Sequence, residues 1–181
     1  GLFASTMRYG AGKSQWGIIF SRSPRIGFAV VFGLTLVLLV AVVAAYALVE
    51  RYVANVELAR ATAALSAGNL DAAASAANSS LSFAQTSTAY QVEAAVALGQ
   101  MSQIAVSSTI AAADAQKAFQ TALSNGINAA LTATRIDPNN YQNWLALGNL
   151  YAQAVPLKVE GAYDSAKTAY DKAAALSPTN P

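Results

Sequence analysis

The sequence predicts an all-α chain in which one transmembrane helix continues into a short array of about three helical hairpins. Three observations carry this reading. An uncharged apolar run of 24 residues, Ile26 to Val49, lies near the front. Alanine is abundant and β-branched runs are few outside that stretch, which favours helix. The rest is punctuated at helix-length intervals by Gly, Asn, Pro and hydroxyl clusters, which act as helix stops and turns.

Composition narrows the function classes. Charged residues make up 11% of the 181, against roughly 25% in an ordinary soluble domain, and apolar residues make up 55%. A membrane segment, or a surface buried against other subunits, accounts for such a deficit. Cysteine and histidine are absent. Thiolate metal sites and disulfides are therefore excluded, and the commonest general base and metal ligand are missing. A net charge of +2 gives no basis for nucleic-acid binding. Its distribution is informative: Arg8, Lys13, Arg22 and Arg25 precede Glu50 with no acid among them, whereas nine acids and seven bases follow from Glu50 onward.

Residues 1–25 form a basic flank. Trp16, Ile18, Ile19 and Phe20 beside the basic groups suit an interfacial anchor, and Pro24 is expected to separate it from the spanning helix. Gly10-Ala11-Gly12-Lys13-Ser14 resembles the end of a phosphate-binding loop. Met7 stands where the pattern needs its first glycine, and no strand precedes it, so the segment is read as a flexible basic flank.

Residues 26–49 form the transmembrane helix. Twenty-four helical residues rise roughly 36 Å, enough for a hydrocarbon core of roughly 30 Å. The run is apolar on all sides, whereas a globular helix would carry a polar stripe. A cleaved signal peptide usually has a shorter apolar core. Arg22 and Arg25 before the span, against the cancelling Glu50 and Arg51 after it, place the front in the cytoplasm and residues 50–181 outside it. Nothing breaks the helix after Val49. One helix is therefore expected from about Ile26 to Ala67, with Val49, Val53, Val56 and Ala63 continuing an apolar stripe.

Beyond the span, Gly68-Asn69, Gln85 to Thr88, Ser107 to Thr109, Asp137 to Asn140 and Glu160-Gly161 divide the chain into helices at 50–67, 70–83, 88–106, 110–136, 140–155 and 161–176. Short turns between them suggest stacked hairpins, and hence repeats.

The last hairpin carries a resemblance. Trp144, Leu147, Gly148 and Tyr151 fall on W-x2-L-G-x2-Y, followed by Gly161, Tyr163, Ala166, Tyr170, Ala173 and Pro178. The stretch resembles a tetratricopeptide repeat. Pro138 and Pro178 are 40 residues apart where the repeat takes about 34, so about six extra residues near Val155 to Glu160 lengthen the inner turn. The resemblance implies a repeat domain over 50–181. Tyr163 and Tyr170 are expected to fill the space between helices, and Gly148, Ala166 and Ala173 to allow close approach. Ala67 to Ala73 resembles the middle turn of a first repeat, and Ala97-Leu98-Gly99 echoes a second. The Asp137 to Gly148 stretch is also similar to repeat tails of bacterial membrane proteins of the O-antigen ligase and polymerase kind.

No catalytic constellation emerges. Glu50, Glu57 and Glu93 lack the convergent pocket that general acid–base work requires; Arg51 and Arg60 are natural ion-pair partners for them. No cofactor or metal is expected, and the chain reads as a non-enzyme. Tyr141, Trp144, Tyr151, Tyr163 and Tyr170 form an aromatic cluster that serves either as core or as a ligand groove on a concave face. Asn78-Ser79-Ser80 is an N-glycosylation acceptor pattern at Asn78. Two functions follow as expectations. The first is a membrane-anchored scaffold that self-associates into an assembly at the cell envelope, through small residues in the span (Gly27, Gly33, Ala41, Ala44 and Ala45) and through a surplus apolar face on helix 110–136 that includes Ala122. The second is a docking module for peptides or proteins of envelope machinery. The expected partners are the lipid bilayer, further copies of the chain and other envelope proteins.

Overall fold

The computed structural model describes residues 24–107 and 111–178. Residues 1–23 of the basic flank, with Trp16, Phe20 and the Gly10 to Ser14 segment, lie outside the described residues. The chain divides into two compact units, Gly1–Tyr46 and Ala47–Pro181. Six α-helices and one 3-10 turn make up the described residues, and no strand occurs among them.

The first helix, α1, is described over Pro24–Ser66. It is long and apolar enough to cross a membrane. Among the described residues up to Tyr46, most of the apolar side chains are exposed: Phe28, Leu34, Val37 and Leu38 are each more than half exposed. The hydroxyl of Thr35 donates to the carbonyl of Val31 at 2.9 Å, so this hydroxyl is satisfied within its own helix.

In Ala47–Pro181, the end of α1 is followed by α2 (Leu70–Phe83), α3 (Ser87–Val106), α4 (Ala112–Ile136), α5 (Tyr141–Ala154), a 3-10 turn at Val155–Leu157, and α6 (Ala162–Leu176). The helix limits follow from local chemistry. Gly68 takes φ +75°, open to glycine without strain, and Asn69 caps α2 by accepting the Ala72 N–H at 3.1 Å. Thr86 caps α3 through the Ala89 N–H, and Asn140 caps α5 through the Gln142 N–H. The six-residue lengthening becomes the 3-10 turn, a left-handed Lys158 at φ 56°, and Gly161 at φ +73°, from which α6 starts.

Packing is by close helix approach over small residues. One cluster joins Ala61 of α1, Ala73 and Ala77 of α2, and Val92 and Val96 of α3. A larger one joins Ala94 and Met101 of α3, Leu123 and Ala130 of α4, Leu147 and Leu150 of α5, and Ala162 and Ala169 of α6. The pairs α3–α4 and α5–α6 make the most extensive contacts, followed by α2–α3 and α4–α5, and α3 also touches α5. Gly126 marks the tightest point: a Cβ there would lie 2.6 Å from Leu150 Cδ2 and 2.8 Å from the Ala97 Cβ.

Three expectations are corrected. On α1 the inward stripe runs through Ala54, Leu58, Ala61 and Leu65, whereas Val49 and Ala63 are exposed. On α4, Ala122 is 5% exposed and belongs to the core; the outward face carries Gln116, Gln120, Ser124, Asn125 and Asn128 and is polar. Tyr163 does not fill space between helices, being 67% exposed. The hydroxyl-rich stretch from Ser75 to Thr88 is mostly helix, and Ser80 within it is buried, donating to the carbonyl of Ala54 at 2.9 Å.

Candidate functional site

The site is built on the α4–α5 turn. Asp137-Pro138-Asn139-Asn140 stops α4 and reverses the chain. Three residues on, Asn143 is fully buried. Its Nδ2 donates to the carbonyl of Asp137 at 2.7 Å, past the end of α4, and to that of Ala133 at 3.1 Å, which also accepts the Asp137 N–H. Its Oδ1 accepts from Gln91 Nε2 of α3. One side chain thus fixes α5 against both α3 and α4. Beside it, Trp144 Nε1 donates to the Pro138 carbonyl at 2.8 Å.

Locked in this way, α5 runs beside α3, and the two helices line one groove with α1. Leu65 comes from α1, Gln91, Val92, Ala95 and Leu98 from α3, and Gln142, Leu145, Ala146 and Asn149 from α5. Its volume is 390 Å³. The floor is apolar, and three amides stand at its margins. This pairing of apolar surface with a few fixed polar groups suits recognition of a peptide-like segment. Leu145 is 39% exposed, so it is available to a ligand. A hollow of 630 Å³ lies between the end of α3 and the first half of α4.

The motif residues of the last hairpin are largely brought together. Leu147, Ala166 and Ala173 are buried and Trp144 and Tyr151 half-buried between α5, α6 and α4. Tyr170 lies against Gly148 and donates its hydroxyl to Asn149 Oδ1 at 2.8 Å. Its partial burial holds the phenol above its ordinary pKa. Tyr163, exposed on α6, stands apart, and Pro178 follows the end of that helix. Asn78 is exposed midway along α2, in helix rather than in a loop. Asn143 and Gln91 went unnoticed in the sequence; Asn143 falls in the first turn of the expected helix 140–155, where nothing in the pattern marks its burial.

Among the carboxylates, Glu57 pairs with Arg60 at 2.6 Å on the surface of α1. Glu93 on α3 is pushed above the usual carboxylate range by partial burial. No group of three Asp or Glu side chains gathers among the described residues in a way that could hold a metal ion.

Comparison of the chain with protein-family models, with curated proteins and with solved structures gives no match.

Proposed function

We propose that the protein is a membrane-anchored helical-repeat scaffold of tetratricopeptide type, whose α1–α3–α5 face docks a peptide-like segment of a partner at the cell envelope. The observation that carries this is the groove itself. It is lined by alternate helices, each followed by a returning helix that stays out of the groove, which is how stacked hairpins generate a continuous binding face. The Gly148–Tyr170 contact and the motif spacing on α5 and α6 support the repeat reading. The exposed apolar side chains of α1 support a span over residues 26–49, with the basic flank in the cytoplasm and residues 50–181 outside.

Self-association is the second reading. Tyr163 and Leu145 are exposed on the last hairpin, and stacked repeats bury such surface against a neighbour. Photo-crosslinking groups placed at Leu98 and Leu145 in intact cells separate the two. Adducts with a different protein at both positions, and none at Ser75 or Asn78 on α2, support docking. Adducts of twice the chain mass support self-association. Adducts equally frequent at all four positions sink the groove as a specific surface. Protease added outside intact cells should remove residues 50–181; their protection there would overturn the orientation.

A further inference from the structure

The Ala47–Pro181 unit has two ends, fixed by contacts along its helices. Ser80, late in α2, meets Ala54, early in the α1 portion of this unit. Gly99, late in α3, lies against Leu70 at the start of α2; Asn143, early in α5, bonds Gln91, early in α3, and Ala133, late in α4; and Tyr151, late in α5, lines one hollow with Asp164 and Ser165, early in α6. Successive helices therefore alternate in direction, and α2, α4 and α6 all finish at the end where Ala47 begins the unit. Each finishes on a large exposed apolar side chain: Phe83 is 45% exposed, Ile136 44% and Leu176 38%. Tyr52, at the same end, is 71% exposed.

The last residue of a returning helix in a water-bathed bundle is ordinarily a place for polar groups. Here the same exception occurs three times. Arg51 and Arg135 are exposed at this end, while its acids Glu50 and Asp137 are half-buried. Aromatic and aliphatic tips interspersed with arginine are what a phospholipid boundary accepts, the apolar groups entering the acyl edge and the guanidinium groups meeting phosphate. The chain itself names the occupant, since Ala47 directly follows the apolar run that ends the other unit. Val106, Val155, Leu157 and Val159 are exposed at the opposite end, which has no such attachment.

We infer that Phe83, Ile136 and Leu176 form a foot that rests in the interfacial layer of the bilayer. The inference depends on the membrane-anchored reading and adds to it a lipid-contacting surface on the repeat domain. Because the chain has no cysteine, single nitroxide labels can be introduced at exposed positions of the full-length protein as Phe83→Cys, Ile136→Cys, Leu176→Cys, Leu157→Cys and Val37→Cys. Each variant is placed in vesicles of phosphatidylcholine and phosphatidylglycerol, and the label's collisions with oxygen are compared with those with a water-soluble nickel complex. The foot predicts that oxygen prevails at 83, 136 and 176, as at 37, and that the nickel complex prevails at 157. Labels at 83, 136 and 176 that behave like 157, with 37 still in lipid, overturn the foot and leave the anchor standing. A label at 37 that is itself accessible to nickel overturns the anchor, and the foot with it.

Discussion

The ring of Tyr170 lies across the bare face of α5 at Gly148: a Cβ placed there would come within 2.7 Å of the ring's Cε1, while the tyrosine hydroxyl holds Asn149 at 2.8 Å. Gly148→Ala therefore displaces the ring. Alanine gains roughly 0.8–1.0 kcal/mol of helix propensity over glycine, and overpacking costs roughly 1–3 kcal/mol. The ring is 36% exposed and can yield outward, so the net cost is expected to be about 1 kcal/mol by these two terms.

Gly126→Ala should cost more, about 2 kcal/mol by the same balance. Its new methyl meets the fully buried Leu150 and the Ala97 methyl, and neither has open space to enter. Urea melts of the two variants in parallel check the order. Equal costs would mean that α3, α4 and α5 are less closely set than described.

Asn143→Leu removes the amide that serves the carbonyls of Ala133 and Asp137 and the contact with Gln91. The Ala133 carbonyl keeps the Asp137 N–H, but the Asp137 carbonyl loses its donor and the Gln91 amide its acceptor, at about 1–3 kcal/mol for a buried polar group left unpaired, so the variant should be clearly destabilised. Trp144→Phe loses the bond to Pro138 and a part of the ring's packing, and should cost about 1–2 kcal/mol. Trp144→Ala, at a half-buried site, should fall at the low end of the roughly 3–5 kcal/mol seen for buried aromatics. Thermal melts decide between these expectations and a surface role for either residue.

Glu93 gives a pH signature. Its pKa is raised in the folded chain by burial, so the native state holds the proton more tightly than the unfolded state. Stability from this group is then complete below the ordinary carboxylate pKa and declines as pH rises through the raised value. Glu93→Gln should raise the melting temperature at neutral pH and leave it unchanged in acid. A rise of the same size at both pH values would assign the effect to something other than ionisation.

Much of the fold was legible because its punctuation is chemical and local. Gly68 and Gly161 take the positive φ that only glycine adopts freely, and Asn69, Thr86 and Asn140 cap the helices that follow them. What escaped was the phase of helices rich in alanine. On α1, a stripe through Val49, Val53 and Val56 and one through Ala54, Leu58 and Ala61 are about equally apolar as patterns, and the partner helices choose the second. The inward face of α4 was misjudged for the same reason at Ala122, since alanine signals neither core nor surface. Tyr163 followed the motif in spacing yet has no helix to pack against. The groove was hidden in the sequence because its residues come from three helices separated by turns, and Asn143, which fixes α5 against α3 and α4, looked like an ordinary polar residue of helix 140–155.

The docking face is tested most directly by Leu145→Glu in the full chain carrying a photo-crosslinker at Ala95, which lines the same groove. Leu145 is 39% exposed, so the charge should change the unfolding free energy by no more than about 0.5 kcal/mol, as for other surface substitutions. The account predicts unchanged melting together with loss of the partner adduct from Ala95. Adducts of undiminished yield, with the groove charged and the fold intact, would contradict it.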